Sequence, residues 1–185
     1  MSAPMDEGRV RLHRAPGWQD VKLDEHPVFM ALPLPHLKAV DRVLVHSDRV
    51  VLLEVTDYRE MRARRERDAA PSVEDLAQEM VGKLLGSLLV LLCIRRWSES
   101  RSDLEVPRAA FEWIQRSEPI VFVIWLEGFE RLSSRIHTHR TFLDLIKEKL
   151  PQPIGARVRL LSHAAFNSLS SVDRVELGIA DIELS

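Results

Sequence analysis

Val40-Asp41-Arg42-Val43-Leu44-Val45-His46-Ser47-Asp48-Arg49-Val50-Val51-Leu52-Leu53-Glu54-Val55-Thr56-Asp57-Tyr58 reads as two strands, Lys38–His46 and Arg49–Thr56, joined by a tight polar turn at Ser47-Asp48. Side chains alternate along a strand, so Val50, Leu52, Glu54 and Thr56 share one face while Val51, Leu53 and Val55 share the other. Both faces are largely apolar, the pattern of an internal strand of an α/β sheet covered by helices on both sides. The hairpin carries one acid on each strand, Asp41 opening the first and Glu54 late in the second. A carboxylate on a buried strand needs a partner, and two brought side by side suit a divalent cation held between them. The plainer alternative is a pair of strand-end acids facing water or matched by arginines such as Arg42 or Arg59.

Outward from the hairpin, Met1–Pro16 mixes charges with little periodicity and reads as a loose arm or one short strand at Val10–His13. Gly17–Leu32 suits a short helix around Leu23–Ala31, with Pro27 in its first turn and Pro33 and Pro35 ending it. After the hairpin, Arg59–Asp68 is a charged run expected to form a solvated loop. Ser72 then caps a helix running to about Arg96, with Asp75 completing a variant capping box and Leu76, Met80, Leu84, Leu88 and Leu91 at helical spacing. Pro107–Gln115 suggests another helix, Glu118–Leu126 a central strand, Thr138–Leu150 a helix and Ala156–Leu161 a strand. The tail from Phe166 to Ser185 is weakly patterned.

The chain has 185 residues, enough for one α/β domain with its own core, and a single domain over 1–185 is expected. Its 45% hydrophobic and 29% charged residues argue against disorder of the whole chain. A formal charge of −2 supplies no global attraction for nucleic acid, so such binding would need a local basic patch. The lone Cys93 excludes an internal disulfide and a cysteine zinc cluster. Met1–Arg14 lacks a secretory pattern, and the apolar run Leu84–Ile94 is too short to span a bilayer, so a cytoplasmic protein without membrane partners is expected. His137 and His139 have no cysteine or third histidine nearby and read as surface residues.

Gly17-Trp18, Lys22-Leu23-Asp24-Glu25, Val40-Asp41 and Leu52-Leu53-Glu54-Val55-Thr56-Asp57-Tyr58-Arg59, with the order of elements over Gly17–Leu161, resemble the restriction-endonuclease-like PD-(D/E)xK superfamily. The resemblance is to bacterial members with a GWxxxKxDE…VD…LLEVxDYR opening. It implies a mixed central sheet flanked by helices in αβββαβ order. One strand is short of that order before the long helix, unless Val10–His13 supplies it.

The resemblance also implies a magnesium- or manganese-dependent hydrolase of DNA phosphodiesters. Asp41, Glu54 and the Val55 carbonyl would be the metal ligands, with Asp24 or Glu25 adding a carboxylate from the preceding helix. Thr56 stands where the superfamily has its lysine, and a threonine has no charge to stabilise a transition state. Lys83, in an otherwise apolar stretch of the long helix, is the candidate substitute; against this, Glu79 and Lys83 are spaced for an ordinary i,i+4 ion pair. Gln78, on the same helix, reads as exposed. Arg59, Arg62, Arg64 and Arg65 would neutralise DNA phosphates, or pair with the acids of their own loop. The alternative function is a catalytically silent member serving as a binding or scaffold subunit. A third possibility is a subunit dependent on a protein partner or on self-association, for which an exposed apolar patch at Phe111, Trp113 and Ile114 would be the sign.

Overall fold

A computed structural model describes residues 4–32, 34–47, 49–57, 72–98, 120–128, 137–151 and 156–184. In chain order the elements are β1 (Met5–Glu7), β2 (Val10–Arg14), β3 (Gln19–Lys22), α1 (Pro27–Ala31), β4 (Arg42–Val45), β5 (Val50–Asp57) and α2 (Val73–Ser98). There follow β6 (Ile120–Glu127), α3 (His137–Lys149), β7 (Ala156–Leu161), α4 (His163–Asn167), α5 (Ser171–Glu176) and β8 (Ile179–Leu184). β3, β4 and β5 form an antiparallel meander, and β6 and β7 add to β5 in parallel, giving a five-stranded sheet in the order β3-β4-β5-β6-β7. This is a mixed α/β fold, a central mixed sheet flanked by helices.

Strand alternation divides the core in two. Val43, Val45, Val50, Leu52, Phe122, Ile124 and Leu126 pack on the front face with Leu76, Met80, Leu84 and Ile94 of α2 and Phe142 and Ile146 of α3. Leu44, Val51, Leu53, Val123 and Trp125 form the back face, against Met5, Val10 and Leu12, Phe166 of α4, and Ile179 and Ile182 of β8. The back layer is a second sheet, β1-β2-β8, whose antiparallel β2–β8 pairing joins the two ends of the described chain. The apolar runs in β5 and β6 are therefore strands covered on both faces, though the back cover is a sheet with short helices.

Several expectations change here. The third strand of the meander is β3, inside the stretch read as leading into a helix, while Val10–Arg14 belongs to the second sheet. Gln19–Lys22 has little apolar alternation because only Val21 joins the front core; pairing with β4 makes it a strand. Consequently α1 begins at Pro27, with His26 as its cap, and Asp24 lies in the turn before it rather than on a helix. Met5–Arg14 is a hairpin rather than a loose arm, and the weakly patterned tail supplies α5 and β8. The turn residue Asp48, the charged run 59–68, the helix suggested at Pro107–Gln115 and the patch at Phe111, Trp113 and Ile114 lie outside the described residues.

α2 is set by its cap and by one close contact. Ser72 Oγ accepts from the Asp75 N–H at 3.0 Å while Asp75 Oδ2 accepts from the Ser72 N–H at 3.2 Å, a reciprocal capping box. Farther along, a Cβ on Gly86 would lie 1.9 Å from the Lys38 carbonyl oxygen, so only glycine lets the helix approach the segment before β4. Ser87 Oγ secures that approach by accepting from the Val40 N–H at 2.8 Å and donating to the Lys83 carbonyl at 2.7 Å. By length and composition alone Val73–Trp97, longer than the apolar run 84–94, would suffice to cross a membrane; half of its most apolar stretch is buried in the fold.

Candidate functional site

Asp41 and Glu54 lie at the front-face end of the β4–β5 hairpin. The last paired residues there are Arg42 and Leu53, so Asp41 and Glu54 stand one step beyond, where the ladder opens. Alternation puts Asp41 in line with Val43 and Val45, and Glu54 with Val50 and Leu52, all front-core residues. The two carboxylates therefore project from the same face.

Each acid is held differently. Asp41 Oδ2 accepts from the Val55 N–H at 2.7 Å, replacing the missing ladder partner. The N–H and C=O of one extended residue project to the same edge, so the Val55 carbonyl opens toward Asp41. Glu54 is 1% exposed, and its Oε1 accepts from the Lys83 ammonium and, at 3.3 Å, from the Thr56 hydroxyl. Its Oε2 is buried without a hydrogen-bond partner, and so is Oδ1 of Asp24. The Leu23 N–H bonds the Asp41 carbonyl at 2.9 Å, which carries the β3 end, and Asp24 after it, up to the site.

Burial raises the Asp41 carboxyl above its ordinary range, and the charge of Asp24 adds to this against the Val55 N–H and Lys83. Glu54 is pushed up to about 8, by burial first and then by the charge of Asp41, with Lys83 opposing. For Lys83, burial disfavours the ammonium, but Glu54, Asp41 and Glu79 outweigh it and leave the group raised and charged. The cluster thus holds more acid than base in a poorly solvated place, a condition that favours proton uptake or a cation.

Lys83 reaches Glu54 from α2, and the expected Glu79–Lys83 pair is replaced: Glu79 Oε1 accepts from Lys38 at 2.7 Å. Arg42 does not bridge the acids either. It points to the back face, with Nε 2.6 Å from Glu7 Oε1 and Nη1 2.7 Å from Asp20 Oδ2. Glu25 pairs with Lys22 at 2.8 Å and is 68% exposed, which separates it from the site, whereas Asp24 is close enough to act on Asp41. Gln78 is exposed, as read from the sequence. Arg59, Arg62, Arg64 and Arg65 lie outside the described residues.

Two features had no clear signal in the sequence. Gly86 and Ser87 read as interruptions of an apolar helix, yet they position Lys83. Glu127, at the end of β6, is buried and accepts from the Trp125 indole N–H at 2.7 Å and the His163 N–H at 2.5 Å, closing the start of α4 on the back face.

An oxygen-only donor set of Asp41, Glu54 and the Val55 carbonyl, with buried partnerless oxygens on Glu54 and Asp24, fits a hard divalent cation. Among the described residues, no group of three or more His, Cys, Asp or Glu is assembled to hold a metal. Comparison of the chain with protein-family models, with curated proteins and with solved structures returns no match.

Proposed function

We propose that this protein is a metal-dependent hydrolase of DNA phosphodiesters with a restriction-endonuclease-like fold, its site built on Asp41, Glu54 and Lys83. The observation that carries this reading is the Lys83 ammonium on Glu54: α2 supplies the amine that Thr56 lacks, beside the buried Glu54 and the half-buried Asp41 on one face. The antiparallel meander followed by parallel β6 supports the strand part of the αβββαβ order, although α1 lies between β3 and β4 rather than before the meander.

Asp41, Glu54 and the Val55 carbonyl would hold magnesium or manganese, with Asp24 adding a carboxylate. Bound there, the ion would lower the pKa of a water and neutralise charge building on the phosphate. Thr56 steadies Glu54 through its hydroxyl. Lys83 offers N–H donors to phosphate oxygens, and Arg59, Arg62, Arg64 and Arg65 would contact the DNA backbone without reading sequence.

A second reading is a silent nuclease-fold subunit that binds a partner. It is favoured by the ammonium that already matches Glu54 and by the uncharged Thr56. The experiment is a DNA-cleavage assay in magnesium and in manganese. The hydrolase reading expects cleavage, reduced by about 10²–10³-fold in both Asp41→Ala and Glu54→Ala. Full activity in both variants rules out the site, and no cleavage by the folded wild type under either metal favours the silent subunit.

A further inference from the structure

We propose that the Lys83 ammonium is the resting occupant of the cation site, and that a divalent ion enters only by displacing it toward Glu79. This rests on the cation site proposed above and adds how it is regulated. The ammonium is bonded to the one oxygen of Glu54 that Thr56 also contacts, while Oε2 has no donor, so it is an incomplete substitute for an ion that would engage both oxygens. A monovalent donor also leaves negative charge in excess at Glu54, because the charge of Asp41 still acts on it, and that of Asp24 on Asp41, in spite of Lys83 and Lys22. A divalent ion seated between Asp41 and Glu54 would meet the Lys83 charge at contact distance, so the two exclude each other.

The means of displacement is built into α2. Gly86 and Ser87 lock the helix against Lys38 and Val40, so the backbone of Lys83 is held and only its four-carbon side chain can move. The Lys83 side chain is 19% exposed against 1% for Glu54, which leaves the amine a route to solvent. Glu79 sits one turn earlier at i−4, already acts on Lys83, and has its present partner Lys38 in an exposed pair that yields at little cost. The side chain thus has two seats: on Glu54 when the ion is absent, and beside Glu79 when it is present.

Two measurements test this. In calorimetric titration with manganese, Lys83→Met should bind at least about tenfold more tightly than the wild type, since the competing charge is gone. In the wild type, amine labelling read by mass spectrometry should show Lys83 becoming severalfold more reactive at saturating manganese, with Lys22 unchanged. Equal or weaker binding by Lys83→Met, or labelling of Lys83 that saturating manganese leaves unchanged, overturns the displacement while leaving the cation site standing. No manganese binding by either protein overturns both. Should Lys83→Met fail to fold, the labelling of the wild type decides alone.

Discussion

Asp41 and Arg42 are neighbours in the chain, yet they belong to two different electrostatic settlements on opposite faces of one sheet. On the back face Arg42 bonds Glu7 and Asp20, and Asp20 also pairs with Arg14, so the described charges are matched and tie β1 to β3 and β4. Around the front-face site, Asp24 acts on Asp41 and Asp41 on Glu54, with Lys83 as the bonded ammonium, and two buried oxygens have no donor. A matched network of this kind holds layers together. An unmatched one is tolerated only where something is bound or a proton is kept, and this separates the clamp from the candidate site.

The largest effect expected from breaking this contrast is on the back face. Arg42→Met removes the partner that Glu7 and Asp20 share, leaving Asp20 to Arg14 and Glu7 to the more distant Lys22, and should lower unfolding free energy by about 3 kcal/mol, read by urea denaturation. A loss near zero would mean the network is ornamental. The next effect sharpens the front face through pH. Glu54 keeps its proton in the folded chain up to about 8, whereas its ordinary value is 4.5. Between those values the folded state binds more protons, so stability is fullest below the lower one and declines as pH rises through the higher. Asp41, also raised, adds to the decline in the same direction. Glu54→Gln should therefore flatten most of the fall seen in thermal unfolding at successive pH values, and an unchanged slope would place the strain elsewhere.

Smaller effects test how the two faces are assembled. Ser87→Ala leaves the buried Val40 N–H without its acceptor and should cost about 1–3 kcal/mol, with weaker protection of that amide in hydrogen exchange. Ser72→Ala removes the α2 cap, far from both networks, and should cost only about 1 kcal/mol in the same denaturation assay. If the cap variant proved costlier than the Ser87 variant, docking of α2 would depend on its first turn more than on the Gly86–Ser87 contact.

Much of the front layer was legible before any coordinates. Alternation in Val50–Val55 marked β5 and its two faces, helical spacing from Leu76 to Leu91 marked α2, and Ser72 with Asp75 marked where that helix starts. The same alternation put Glu54 among front-core residues, and the hairpin put Asp41 beside it. β3 was missed because four residues with one core contact carry no period of their own. The second sheet was missed because its strands are short and its partners far apart: His13 pairs with Asp181 across nearly the whole chain.

The sequence by itself determined the periods, the turn and the presence of two acids on adjoining strands, because these depend on residues within a few positions of each other. Only the tertiary structure decided which charges meet. Glu79 lies an ideal four residues from Lys83, yet Lys83 pairs with Glu54, 29 residues away, because the close approach at Gly86 lays α2 across the end of β5. Arg42 adjoins Asp41 in the chain but cannot serve it, since consecutive side chains of a strand leave on opposite faces. Pair choice between distant elements follows from packing, and packing is not written in local spacing.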